Sequence, residues 1–173
     1  MQLDLERRPN TATFSPDETH RYTLTRELGG TITLLAMGLN PSKATAELDD
    51  QTIRKDMGFA RIWGCGRIVK TNAYGYRATD PEDMKRARKA GIDVIGPDND
   101  AAIQKALADL LRSDGRLLVA WGNHIEEARQ RALAEMIDCS GITPYCLGTN
   151  KNGTPKHELY IPFAQELLPW TCP

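Results

Sequence analysis

Thr31-Ile-Thr-Leu-Leu-Ala-Met37, followed at once by Gly38-Leu-Asn-Pro-Ser42, is the stretch on which the fold turns. Gly29-Gly30 bounds the apolar run on one side, and Gly38, Asn40 and Pro41 bound it on the other. A short β-branched and aliphatic run between turn formers reads as a buried strand ending in a polar loop. Upstream, Tyr22-Thr-Leu-Thr25 alternates like a strand. Downstream, Asp49 or Asp50 caps a helix with Ile53, Met57 and Ala60 on one face, and Gly64 stops it. Arg67 to Asn72 reads as a third strand. A long structured loop follows, over 73–98, holding a short basic helix over Glu82 to Lys89.

Ala101 to Leu111 groups Ile103, Leu107, Leu110 and Leu111 at helical spacing, and Arg116 to Trp121 is a fourth strand. Asn123 with Glu126 three positions on reads as a capping box opening a helix that Gly141 ends. Ile142 to Leu147 is a fifth strand. The alternation predicts an α/β fold, a three-layer αβα sandwich around a mainly parallel central sheet of four or five strands. Residues 1–20, polar and carrying Pro9 and Pro16, read as a flexible arm, and 21–173 as a single α/β domain.

The 173 residues suffice for a core without disulfides or metals. At 40% hydrophobic and 26% charged, the composition excludes a disordered or collagen-like chain. The apolar runs are too short for a bilayer span and the first residues lack a signal-peptide core, so a cytoplasmic protein with no membrane partner is expected. A net charge of −1 argues against a strongly basic nucleic-acid coat protein, though not against a local basic groove. Cys65, Cys139, Cys146 and Cys172 form no Cys-x-x-Cys pair and read as free thiols. The three histidines and scattered carboxylates show no metal spacing, so no metal and no cofactor is expected. Asp49 and Asp50 read as helix-start residues, with a metal-holding carboxylate pair as the other option.

Ligands of such sheets collect beyond the carboxyl ends of the strands. Four polar segments fall there. In Gly38-Leu-Asn-Pro-Ser42, Gly38 permits close backbone approach and Pro41 fixes the turn; the Asn40 amide either donates and accepts toward a ligand or closes an Asx-turn. Asn72 either reads the polar edge of a base or caps a turn, and Tyr74 and Tyr76 either stack on that base or pack. Lys85, Arg86, Arg88 and Lys89 read as a solvated face or a basic cluster. Trp121-Gly-Asn123 leads into a helix start suited to an anion or merely capped, and Trp121 itself reads as core. The last segment, Gly148 to Tyr160, gathers Asn150, Lys151, Lys156 and His157. His157 is a candidate donor to an oxyanion or phosphate.

Six strings carry a resemblance: NPSxAxAxxDDxTI over Asn40–Ile53, GFARxWG over Gly58–Gly64, NAYxYRATDP over Asn72–Pro81, IGPxND over Ile95–Asp100, AWGNH over Ala120–His124, and CLGTNxxGxPKHxLY over Cys146–Tyr160. Together they resemble an uncharacterised bacterial family, domain of unknown function 1643. That label implies no activity, and Glu158 stands where the family usually has a proline. A more distant resemblance is to the uracil-DNA glycosylase superfamily. Gly38-Leu-Asn40-Pro41 looks like its water-positioning loop, Asn72 like its base-reading asparagine, Leu118 to Gly122 like a later strand, and His157 like the histidine of its closing loop. The Pro-Ser that usually follows that histidine is missing.

That resemblance implies a uracil-DNA glycosylase-like fold and a base held out of its stack. Asn72 would read the base and Tyr74 or Tyr76 stack on it. Asn40 would orient a water toward the sugar and His157 stabilise the departing base anion. Asn40 and His157 are the expected catalytic pair. Gly38, Pro41, Ser42, Asn72, Tyr74, Tyr76, Arg77, Asn123, Asn150 and Lys156 form the expected binding set. The expected partner is nucleic acid, DNA ahead of RNA, or a free nucleotide. The alternative is a nucleotide- or nucleic-acid-binding module of the same fold that cleaves nothing.

Overall fold

Every residue of strand β3 (Thr33–Gly38) is buried, as a strand covered on both faces requires. It lies inside a seven-stranded sheet whose other strands are β1 (Thr11–Phe14), β2 (Arg21–Glu27), β4 (Arg67–Asn72), β5 (Gly115–Val119), β6 (Pro144–Cys146) and β7 (Leu168–Pro169). The computed structural model describes residues 9–173. The spatial order is β1-β2-β4-β3-β5-β6-β7. β3 pairs in parallel with β4 and with β5, and β5 with β6, while β1–β2, β2–β4 and β6–β7 are antiparallel.

The expected mainly parallel sheet of four or five strands is therefore corrected to a mixed α/β sheet of seven. The parallel part is its middle, β4-β3-β5-β6. β1 belongs to the stretch expected to be an arm; residues 1–8 of that arm lie outside the described residues. β1 turns Ala12 and Phe14 inward, Ala12 against Leu24 and Ile53, and its outer face is held by threonine pairs, Thr11 Oγ1 to Thr25 Oγ1 at 2.6 Å and Thr13 Oγ1 to Thr23 Oγ1 at 2.7 Å.

Four helices complete the fold: α1 (Gln51–Ile62), α2 (Pro81–Lys89), α3 (Asn99–Leu111) and α4 (Glu127–Ser140). Alternate residues of the central strands serve the two faces. Leu35 and Met37 of β3 with Leu117 and Val119 of β5 meet Ile103 and Leu107 of α3, Leu133 and Ile137 of α4, and Met84 of α2. Leu34, Ala36 and Leu118 meet Phe59 and Ala60 of α1. The chain thus places α1 on one face and the other helices opposite. The strand order changes direction between β3 and β5, which is where an open α/β sheet leaves a crevice at its carboxyl edge.

Two helices start at an aspartate cap, the first at one of the two positions expected for it. Asp50 caps α1, accepting from Ile53 N–H at 2.9 Å, and Asp80 caps α2, accepting from Glu82 N–H at 2.9 Å. The third is a correction. Gly122–His124 is a 3-10 turn, with Gly122 at φ +71, and α4 begins four residues after Asn123. Asn123 caps nothing; the side chain that meets the helix entrance is Tyr74, whose Oη accepts from Glu126 N–H at 3.1 Å.

Candidate functional site

A cleft of about 980 Å³ opens beyond the carboxyl ends of β3, β5 and β6, at the change of strand direction. Its walls come from segments distant in sequence: Leu39 and Asn40 with Ser42 and Lys43, Leu48 to Thr52 with Arg54, Ala78-Thr79, Trp121 to His124, and Asn150 with Lys156, His157 and Leu159 to Ile161. Asn40 and His157, expected as the catalytic pair, both line it, as do Ser42, Asn123, Asn150 and Lys156. A second cavity, about 730 Å³, lies over β1, β2 and β4 beside α3. Its charged walls are already paired, Arg67 with Glu27 and Lys105 with Asp109, so the free polar chemistry is concentrated in the first cleft.

The Asn40 amide is oriented by the loop. Its Nδ2 donates to Ala78 O at 2.8 Å and Pro41 O at 3.2 Å, leaving Oδ1 with no protein partner among the described residues. The available atom is thus an acceptor. His157 is about one-third exposed, and its Nδ1 accepts from Leu159 N–H at 3.2 Å. A neutral ring in that arrangement carries its proton on Nε2. Trp121, fully buried, backs the cleft. Its Nε1 donates to Gln130 Oε1 at 2.9 Å and its ring packs edge-on against Trp170 at 5.2 Å.

Not all of the expected set reaches the cleft. Asn72 is buried under Gly38: its Oδ1 lies 3.0 Å from where a Gly38 Cβ would stand, and its Nδ2 has no partner among the described residues. Tyr74 is a core residue, 1% exposed, that holds the start of α4. Tyr76 packs against the same core and edge-on to His20 at 5.9 Å. Arg77 sits over the Phe14 ring at 5.0 Å and donates to Glu18 O at 3.1 Å, fastening β1 to the loop after β4. Gly38 and Pro41 are buried and shape the loop without lining the cleft. Asn150 lines it but is bound into its own turn, donating to Thr154 Oγ1 at 3.0 Å. The basic run of α2 is a solvated face: Lys85 pairs with Glu82, Arg86 with Asp83 and Arg88 with Glu126.

Residues outside the expected set line the cleft as well. Tyr160 is 85% exposed and Leu48 56% exposed, and both line the cleft, giving it an apolar rim. Lys43 and Arg54 join Lys156 as its cations. Asp49 and Asp50 are in the wall but committed, Asp49 to Arg26 at 2.6 Å and Asp50 to its helix cap. Sequence reading passes over Tyr160 because it follows the polar loop in no periodic element.

A buried ionic triad lies behind the cleft. Lys70 of β4, Asp56 of α1 and Glu158 are respectively 2%, 0% and 0% exposed. Lys70 Nζ is 2.9 Å from Asp56 Oδ2 and donates to Glu158 Oε1 at 2.5 Å. Burial, reinforced by the neighbouring Glu158, pushes the Asp56 carboxyl up to about 7 despite Lys70. Burial would raise Glu158 as well, but Lys70 and His157 outweigh it and hold its carboxyl below the ordinary range. Burial would lower Lys70, yet the two carboxylates raise it above an ordinary lysine. A lysine held protonated in this way is no nucleophile. The signal was present in the sequence: Asp56 is spaced with Ile53 and Phe59 on the buried face of α1, and Lys70 shares a strand face with Ile68.

The sequence profile of the DUF1643 family, a protein family of unknown function, matches residues 21–159. The chain belongs to the DUF1643 family. No curated protein and no solved structure gives a significant match. Within the matched span this DUF1643 protein places Asn40, Asn123 and His157 at one cleft, whereas Tyr160 lies one residue beyond it. Among the described residues no helix is long and apolar enough to cross a membrane.

Proposed function

We propose that this cleft binds a nucleobase-bearing ligand and that its chemistry is hydrolysis of an N-glycosidic bond, on a fold related to the uracil-DNA glycosylases. The observation that carries the reading is the convergence of Asn40 and His157, from loops 117 positions apart, on one cavity sized for a nucleotide. Asn40 Oδ1 is a free acceptor able to hold a water against the sugar carbon. The His157 ring supplies a donor at Nε2 to the oxygen on which charge appears as the base leaves. Tyr160, with Leu48, takes the stacking role that Tyr74 and Tyr76 do not fill. An amide is a poor base, so rate enhancement would come chiefly from stabilising the leaving group.

The second reading, binding without cleavage, is favoured by one feature. Both carboxylates in the wall are committed, Asp49 to Arg26 and Asp50 to the α1 cap, leaving no free carboxylate among the described residues there to activate a water. One experiment separates the two. The protein is incubated with oligonucleotides carrying uracil, mismatched or modified bases, and in parallel its melting temperature is followed with nucleosides and nucleotides. Abasic sites that vanish in Asn40→Ala support hydrolysis. Thermal stabilisation by small nucleotides without abasic sites supports binding alone. Neither response across the panel refutes both.

A further inference from the structure

The charge facing the cleft is one-sided. Two carboxylates stand in its wall, and each is answered from behind by a buried arginine of β2. Asp49 Oδ1 lies 2.6 Å from Arg26 Nε. Burial draws the Arg21 guanidinium down to about 10, and Asp50 is the charge that most opposes this. The same two arginines brace the loop that carries Lys43. Arg21 Nη1 donates to Ala44 O at 2.8 Å, and Arg26 Nη2 donates to Thr45 O at 2.5 Å and to Leu48 O at 3.1 Å. The planar donor fork of a guanidinium suits it to hold several carbonyls at once.

The cations in front of that wall have no such answer. Lys43 from the loop after β3, Arg54 from the first turn of α1 and Lys156 from the loop after β6 all line the cleft. None of the three pairs with a carboxylate among the described residues. Arg54 Nη1 donates to Asp49 O at 2.7 Å, which fixes the guanidinium beside the braced loop. The Lys156 stem crosses Gly148, its Cδ 3.6 Å from where a Cβ would stand. We propose that Lys43, Arg54 and Lys156 form a phosphate subsite, so that the cleft takes a phosphomonoester. The rest of the ligand rests on the nucleobase reading above, which makes it a free nucleoside monophosphate.

The distribution of charge outside the cleft favours a single phosphate over a strand. A nucleic-acid strand is gripped by a basic groove that follows successive phosphates. The exposed cations of the helices are spent on carboxylates, Lys85 and Arg86 of α2 and Lys105 and Arg112 of α3 among them. Lys55, next to Arg54, lies 3.9 Å from the centroid of the Phe163 ring. Arg61 stands at the far end of α1, and Arg116 near the amino end of β5, away from the carboxyl edge where the cleft opens. Only Lys151, next in the chain to Asn150, adjoins the cleft among the remaining cations of the described residues. The surplus therefore suits one phosphate rather than a row of them.

The test is titration calorimetry of the full chain at pH 7.5 and low salt, where a phosphomonoester carries nearly two negative charges. The probes are the common nucleosides, their 5′-monophosphates, ribose 5-phosphate and a short single-stranded oligonucleotide. Charge-assisted hydrogen bonds from these cations should make a monophosphate bind about tenfold or more tighter than its nucleoside. In Lys43→Gln/Arg54→Gln/Lys156→Gln that ratio should fall to about one, and ribose 5-phosphate binding should vanish. Arg54→Gln also gives up the bond to Asp49 O, so Lys43→Gln/Lys156→Gln is measured beside it and should lower the ratio about threefold or more. Equal binding of nucleoside and monophosphate, or a ratio that survives in both folded variants, overturns the proposal and leaves the nucleobase reading standing. Ribose 5-phosphate bound, and lost in the variants, with no response to any nucleoside upholds the subsite and sinks that reading. An oligonucleotide bound more than about tenfold tighter than its monomer, with steep salt dependence, overturns the proposal in favour of a strand. Binding of neither the monophosphates nor ribose 5-phosphate overturns it outright.

Discussion

Replacing Asp56 by asparagine should flatten the dependence of stability on pH. In the native protein burial raises the Asp56 carboxyl from 3.8 to about 7. Between those values the folded chain holds a proton that the unfolded chain has released, so stability falls as pH rises through that window. At about 1.4 kcal/mol per unit, the loss from pH 4 to above pH 7 is about 4 kcal/mol. Glu158 acts oppositely, since its carboxyl is depressed, but its contribution is lost only as pH falls below the ordinary carboxylate range. Lys70 is raised above 10.5, so its contribution stays constant until alkaline pH. From pH 5 to 8 the slope therefore belongs to Asp56.

The physical reason is charge balance. Ionised together, Lys70, Asp56 and Glu158 leave one uncompensated negative charge in the core, and a proton on Asp56 removes it. The amide introduced by Asp56→Asn cannot ionise and stays neutral at every pH. Urea denaturation across this range provides the measurement. Between pH 5 and 8 about two of those units apply, so for a slope of about 2 kcal/mol/M the wild-type midpoint should drop by about 1.3 M while that of Asp56→Asn stays level. The variant should also be the more stable protein at pH 8. Parallel curves for the two proteins would refute the reasoning, because they would mean that Asp56 is ionised throughout.

Three further outcomes are expected. Tyr160→Ala should leave the melting temperature unchanged, since the ring is 85% exposed, yet weaken nucleotide binding by about 1–3 kcal/mol, measured by titration calorimetry. Gly38→Ala puts a methyl 3.0 Å from Asn72 Oδ1 and 3.1 Å from Lys70 Cε, so chemical denaturation should show a loss of about 1–3 kcal/mol. Tyr74→Phe removes the buried acceptor for Glu126 N–H and should cost about 1–2 kcal/mol, with faster amide exchange in the first turn of α4.

The parts of the fold legible in the sequence are those that bury apolar side chains in rhythm. Arg67–Asn72 was readable to the residue, because β-branched positions that follow a glycine-bounded turn have few other uses. β1 was not, because its apolar face is only Ala12 and Phe14, too short to show a rhythm, and threonine hydroxyls hold its exposed side. The capping box at Asn123 failed for a tertiary reason: Gly122 opens a 3-10 turn first, and a tyrosine 52 positions away supplies the partner. The cleft followed the same division. Asn40 and His157, singled out from loop position and chemistry, do line it. Asn72 was lost because a strand end says nothing about which face its side chain takes. Asp56 and Lys70 were readable in principle as charges in phase with Ile53, Phe59 and Ile68, whereas the inward turn of Glu158 has no periodic signature.

The family match runs from residue 21 to 159, and both outermost strands, Thr11–Phe14 and Leu168–Pro169, fall outside it. A chain trimmed to the matched span would present the main-chain donors and acceptors of β2 and β6 to solvent as two open seams. It would also strip Trp170 from the back of Trp121. Such a fragment is a template for strand addition between molecules, and its failure to stay monodisperse would say nothing about the intact protein.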